Sequence, residues 1–296
     1  MCSLTHRMLI LSVMMLSIGI LMVVYIIFFA SIEEGNMIIA KGDIPTAEKY
    51  HPAIKSYLDF ILSESIEMIS NLEIVNKKLQ IGELEAAQQA YIQSYYHYES
   101  IRPIIISFGN IDRIIDARAD YFRDGVKDRL FTGFHFIEYQ LFNHQDIKAA
   151  LDATDQLLIQ LRDLKKRISI HNFTILDMVR AASDFIEMIL KNKINGKENI
   201  YSFSDLNNIA SNVRGSQELV TRLSSFISEK VLLPISQNYR NINEILSHYK
   251  LMQGGYRPYF QLRFTDKMVL YSILSQQAEC LAILRAQLNI DVYHSY

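Results

Sequence analysis

The run HPAIKSYLDFILSESIEMISNLEIVNKKLQIG, residues 51–82, decides the fold class. Ile54, Leu58, Ile61, Leu62, Ile69, Leu72 and Leu79 recur at steps of three and four, the period of one helix face, and Gly82 closes the run. The same period continues toward the C-terminus. Helices are expected at 83–108, with Pro103 kinking or shortening it, and at 112–121, 132–142, 147–168, 174–193, 204–227, 234–249 and 265–289. Asn195-Gly196-Lys197 reads as a turn between two of these runs, and Gly254-Gly255 parts the last two. Alternating strand patterns with hairpin signals are not evident. Short connections between helices make bundles, and eight or nine helices exceed one four-helix bundle. The expected fold is therefore all-α, with two packed antiparallel helical bundles.

Toward the N-terminus the pattern changes. Residues 31–45 form a short linker containing Gly35, Gly42 and Pro45. Residues 8–30 carry no charge, and a helix needs roughly 20 apolar residues to cross a bilayer. A secretory signal core is only about 7–15 residues long and precedes a small-x-small cleavage site. Here bulky Phe28 stands where a small residue is wanted, in Phe28-Phe29-Ala30. An uncleaved transmembrane signal anchor is expected. Arg7 precedes it and Glu33 and Glu34 follow, so residues 1–7 are expected in the cytoplasm. Residues 46–296 would then form a single-pass protein's main domain, periplasmic or extracellular, on the inner membrane.

Half of the 296 residues are hydrophobic, enough for a large core. A formal net charge of −2 offers no basic surplus for phosphates, so no nucleic-acid partner is expected. The two cysteines, Cys2 and Cys280, cannot build a disulfide framework, and Cys280 in an apolar run reads as a small buried hydrophobe. Zincin, nucleophile-elbow, phosphate-loop, dinucleotide and Cys-x-x-Cys signatures are all missing. What remains is Phe131-Thr132-Gly133-Phe134-His135-Phe136-Ile137-Glu138. His135 and Glu138 are three residues apart and share a helix face, so together they can offer two ligands to iron or zinc. Taken alone, such a pair is common by chance. The bland reading is a half-buried histidine hydrogen-bonded by its neighbour.

The surrounding segments carry more. Tyr98-Glu99 precedes Pro103, then Ser107-Phe108-Gly109-Asn110-Ile111-Asp112 leads to Asp116-Ala117-Arg118, and Gly133-Phe134-His135 follows with Glu138. In the second half, Lys193-Ile194-Asn195-Gly196-Lys197-Glu198 runs into Tyr201-Ser202-Phe203-Ser204-Asp205-Leu206 and Asn212-Val213-Arg214-Gly215. In this order the segments resemble the imelysin-like family, of the EfeO type associated with bacterial iron uptake. The resemblance spans nearly all of the chain after residue 54.

It implies a helical two-bundle domain with a metal ion, iron before zinc or copper, held by His135, Glu138 and Glu99. Asp116 and Arg118 would shape the site, as carboxylate and its anchor, and Tyr98 and Asp205 join the candidates. Asp205 is read equally well as a first-turn aspartate favoured by the helix dipole. Tyr95 and Tyr98 could supply phenolate to ferric iron, although most tyrosines of a helical domain simply fill the core edge. Three departures weaken the likeness at the site. Phe136 stands where family members commonly have arginine, Arg102 where they often have an acid, and Phe203 where histidine is frequent. The cupredoxin-like domain of larger EfeO proteins is not expected, because the linker is too short to hold it.

A membrane-anchored extracytoplasmic metal-binding protein of iron uptake is the leading expectation, without enzymatic turnover. Its partners would be the metal ion, an inner-membrane iron permease or related uptake proteins, and the membrane itself. A metallopeptidase is the alternative, but catalytic zinc needs three protein ligands and an activated water, and no second motif histidine is present. A partner-binding scaffold with a decayed site is the third reading, supported by Phe136, Arg102 and Phe203.

Overall fold

A computed structural model describes residues 47–288. The expected anchor at 8–30 and the linker at 31–45 lie outside the described residues. Among the described residues no helix is long and apolar enough to cross a membrane.

Among the described residues ten α-helices follow one another: α1 (His51–Gln80), α2 (Leu84–Glu99), α3 (Arg102–Ile106), α4 (Asn110–Asp116), α5 (Gly133–Tyr139), α6 (Ile147–Ile170), α7 (Ile175–Lys191), α8 (Asp205–Leu223), α9 (Glu229–Ser247) and α10 (Phe264–Gln287). Among the described residues no strand forms; a single bridge joins Lys250 and Tyr256. The all-helical expectation holds. Helices α1, α2, α5 and α6 pack as one group, and α7 to α10 as another. Helix α8 belongs to both, because it also touches α1 and α2. Its sequence suits that place: Leu206, Ile209, Val213, Leu219 and Leu223 are fully buried, and so are Ser211, Asn212 and Ser216 on its other faces.

In α1 the deepest line is Tyr57, Ile61, Met68, Leu72, Val75 and Leu79, while Ile54, Leu58, Leu62 and Ile69 flank it half-buried. The stripe is wider than one partner requires because α1 packs against α2, α6 and α8 together. Burying each of the large apolar side chains contributes about 1.5–3 kcal/mol. Glu64 falls inside this buried line.

Three boundaries differ from the periodic expectation, and two of them build the site. The second helix stops at Glu99 instead of running to 108. Pro103 has no N–H, so the Glu99 carbonyl loses its partner four residues on. It accepts instead from the Asn212 amide of α8 at 2.7 Å. The run expected at 112–121 stops at Asp116, where Ala117 and Arg118 turn extended (ψ 131° and 158°) before a short 3-10 turn, Ala119–Tyr121. Helix α9 begins at Glu229 and carries Pro234 within it; Lys230 and Pro234 are both exposed, so the carbonyl that loses its donor faces solvent. Helix α7 starts on a reciprocal cap: Asp177 N–H donates to Thr174 Oγ1 (3.2 Å) and Thr174 N–H to Asp177 Oδ2 (2.9 Å).

Candidate metal centre

Two glycines allow the approaches on which the centre depends. Gly133 opens α5 at φ +77°, and a Cβ there would sit 2.1 Å from the Ile115 carbonyl oxygen. Only glycine lets the start of α5 cross the end of α4 this closely, and the crossing sets Asp116 beside His135. Gly215 does the same for α8, where a Cβ would meet the Ser100 carbonyl at 2.5 Å. That contact brings Asn212 to the end of α2.

His135 is buried, and its two ring nitrogens have different partners. Nδ1 lies 3.2 Å from Glu138 Oε2. Nε2 lies 3.3 Å from the Tyr95 hydroxyl and 3.5 Å from Asp116 Oδ1. An ionised carboxylate can only accept, so Nδ1 donates to Glu138, and in the neutral imidazole Nε2 then accepts from the Tyr95 hydroxyl with Asp116 close by. This is the arrangement in which a histidine is oriented by a carboxylate on one nitrogen and free to ligate through the other. Burial pushes the imidazole down, but the Asp116 charge and the Glu138 hydrogen bond outweigh it, so His135 protonates above its ordinary 6.5.

Glu138 is committed elsewhere as well. Its Oε1 accepts from the backbone N–H groups of Tyr201 (3.2 Å) and Ser202 (2.9 Å) and from the Ser202 hydroxyl (2.8 Å). It therefore ties the loop before α8 to α5 and aims His135. The expected i,i+3 pair forms, with Glu138 in the position of an orienting group.

Asp116 is the least satisfied group of the centre. Both of its oxygens are buried without a hydrogen-bond donor. Arg102 Nη2 approaches Oδ2 to 2.5 Å, but no N–H is aligned along that contact. Burial raises its carboxyl to about 7 against the lowering pull of Arg102 and His135. The Arg102 guanidinium balances its charge, but the carboxylate lacks the aligned donors that burial demands.

Asp116, His135 and Glu198 each offer a ligand atom, all within 4.8 Å of one another, the one such group among the described residues. No local signal marks Glu198 as a site residue, since it simply follows the turn at 195–197. Its Oε1 accepts from Arg102 (2.6 Å) and its Oε2 from Arg118 (2.7 Å). Burial would raise Glu198, but Lys193 and Arg102 hold it well below the usual carboxylate range. His135, Glu138 and Glu198 line a cleft of about 130 Å³ with Arg118, Lys197 and Tyr201 among its walls.

The other expected residues fall into place around this group rather than within it. Glu99, expected as a ligand, is outside the group of three. Its Oε1 accepts from Arg102 (3.1 Å), and its Oε2 faces Lys193 (2.9 Å) and Asn212 (2.8 Å). Burial pushes the Glu99 carboxyl up, and Lys193 and Arg102 bring it below its ordinary value. Lys193 is itself buried, a role no local signal reveals. Arg118 anchors Glu198 rather than the expected Asp116, since the extended backbone at 117–118 turns the two side chains apart. Tyr98 donates to Asp112 Oδ1 at 2.5 Å, and Tyr95, not Tyr98, reaches His135. Asp205 is the first residue of α8 and accepts the Glu198 N–H at 3.1 Å, so it positions Glu198 from behind. Phe136 rests edge-on against Phe131 (5.5 Å). Phe203, at φ +54° and half exposed, packs on Phe260 (5.5 Å) away from the cluster.

Fold and site together define an all-helical protein built around a buried histidine–carboxylate cluster at the floor of a cleft. The chain belongs to the imelysin family: the sequence profile of Imelysin, Peptidase M75, matches residues 63–250. It is similar to the iron uptake system component EfeO of Shigella boydii serotype 4 (strain Sb227) and of Escherichia coli (strain K12), at 32% identity over 242 residues. The match covers 81% of this chain, which spans 64% of the length of those relatives. Its fold is similar to that of an imelysin-like protein from Psychrobacter arcticum 273-4, with a TM-score of 0.64 over 85% of this chain and 99% of that one at 12% identity. The resemblance read from the ordered motifs is borne out.

Proposed function

We propose that this protein captures a metal ion, iron in the first instance, as cargo outside the cytoplasm and passes it to an uptake system. Residues 8–30 would hold it at the membrane as a single-pass anchor, with 46–296 as its metal-binding domain. The similarity to EfeO supports the iron-uptake context. The observation that supports metal binding is the convergence of Asp116, His135 Nε2 and Glu198 within 4.8 Å of one another, with Asp116 buried and without an aligned hydrogen-bond donor.

The donors fit a first-row metal. Imidazole and carboxylates suit iron, zinc and copper, at roughly 2.0–2.2 Å from nitrogen and oxygen. His135 through Nε2, Asp116 and Glu198 are the proposed ligands, and Glu138 aims the imidazole. Glu99 holds Arg102 and Lys193 in place. Binding without turnover is favoured over peptidase chemistry for two reasons. One histidine serves the cluster, and Glu138 is held in place by three hydrogen bonds to Oε1 and the His135 contact to Oε2, an orienting position rather than that of a base poised over a water.

The test is elemental analysis and calorimetric titration of the purified chain with ferrous, ferric, zinc and copper ions. One equivalent should bind. A chain that takes up none of the four ions at neutral pH defeats the proposal and leaves a partner-binding scaffold.

A further inference from the structure

Arg102 stands inside the carboxylate cage. Its guanidinium meets Glu99 Oε1 at 3.1 Å and Glu198 Oε1 at 2.6 Å through Nη1, and Asp116 Oδ2 at 2.5 Å through Nη2. Its Nε lies 3.7 Å from Asp112 Oδ1 and has no hydrogen-bond partner. One side chain thus touches four carboxylates, two of which, Asp116 and Glu198, belong to the group that could close on an ion. Its place is built into the backbone. The helix break at Pro103 puts Arg102 at the start of α3, immediately after the Glu99 carbonyl is turned to Asn212.

We propose that Arg102 is the charge selector of this site, a tethered cation that makes it favour divalent over trivalent ions. The inference rests on the metal-binding reading above. A guanidinium is always charged, so it cannot leave the site by losing a proton. Any ion held by Asp116 and Glu198 shares both ligands with it and lies within a few ångströms of its positive charge. The repulsion grows in proportion to the ion's own charge, and it is weakly screened in a buried setting. Arg102 also takes up a lone pair of Glu198, one of the proposed ligands, that a hard trivalent ion would need. An uncharged residue at 102 would remove both effects and leave the same donors with one more unit of negative charge.

The test uses the full-length chain with Arg102→Gln, Arg102→Met and Arg102→Lys, each checked for wild-type helix content by circular dichroism. Dissociation constants for Zn²⁺ and for Ga³⁺, both redox-inert, are measured separately by competition with a chelator at one fixed pH. Arg102→Gln and Arg102→Met should shift the Ga³⁺-to-Zn²⁺ affinity ratio toward Ga³⁺ by roughly tenfold or more. Arg102→Lys, which keeps the charge, should stay within a few-fold of wild type. A neutral variant that weakens or strengthens both ions by the same factor shows a merely structural arginine and overturns the inference alone. A wild-type chain that binds neither ion overturns the metal-binding reading, and the inference with it.

Discussion

Glu64 and Asp116 are both buried carboxylates with a histidine and an arginine beside them, yet they are opposites. Glu64 receives both ends of the Arg214 fork (2.7 and 2.7 Å), the Ser100 hydroxyl (2.7 Å) and a contact from His97 Nδ1 (2.9 Å). Burial would raise it, but the Arg214, His97 and Ser100 hydrogen bonds bring its carboxyl down to about 2. Asp116 has an arginine at 2.5 Å and a histidine at 3.5 Å but no aligned donor, and burial carries it up to about 7. One cluster is closed: every lone pair it needs to fill is filled, and it pins α1, α2 and α8 together. The other is open: Asp116 has no aligned donor, although Arg102 and His135 Nε2 both lie beside it. Residue types do not distinguish these two clusters; hydrogen-bond satisfaction does.

Breaking the closed cluster should have the largest effect on the fold. Arg214→Ala leaves the Glu64 charge buried with weaker partners and should cost about 2–4 kcal/mol of stability. Denaturant unfolding followed by circular dichroism would read this. If metal affinity fell as far as stability did, the separation between the clusters would be wrong.

At the open cluster, His135→Ala should reduce metal affinity by at least about 100-fold while the helix signal and melting temperature stay close to wild type. The core is built from apolar helix faces, so the side chain is dispensable for folding. Calorimetry and a thermal melt on the same sample test both halves.

Asp116→Asn sharpens the contrast further, because it should abolish binding and stabilise the apo-protein. The Asp116 carboxyl titrates higher in the folded state, about 7 against 3.8. Its ionisation therefore favours the unfolded chain, increasingly as pH rises from 3.8 to about 7 and evenly above. The neutral amide should recover about 1–2 kcal/mol at alkaline pH and almost nothing in acid. A variant less stable than wild type at alkaline pH would mean that Asp116 is held by its cationic neighbours after all.

The smallest effects concern pH. His135 protonates above 6.5 and Asp116 near 7, so metal affinity should fall as pH drops through this range, more steeply than tenfold per unit of pH once both ligands take up protons. Glu64 behaves in the other direction. Its folded pKa is depressed from 4.5 to about 2, so its contribution is complete above 4.5 and is lost as pH falls toward 2. Metal release should therefore precede acid unfolding along a pH titration, and coincident transitions would contradict the distinction.

Much of this was legible in the chain. The three-and-four spacing of residues 51–82 and its successors specified helices, because a helix face is a local property that repeats within a few residues. The ordered motifs specified the family, and the His135–Glu138 spacing put an imidazole and a carboxylate on one face. Pro103 and Gly133 were visible as residues, but what they do was not. One frees the Glu99 carbonyl for Asn212, 113 residues away, and the other admits the Ile115 backbone. Which carboxylates meet His135 was decided only by the tertiary structure. Asp116 and Glu198 arrive from α4 and from the loop before α8, whereas Glu99, the nearer choice from the motifs, is drawn off by Lys193 and Arg102. The charge balance of the centre was equally out of reach, since Arg102 reads as one lost ligand until four carboxylates are seen to converge on it. Periodicity is a property of neighbours along the chain. A binding site depends on which unsatisfied groups the packed helices bring together, and that is determined only when the whole core closes.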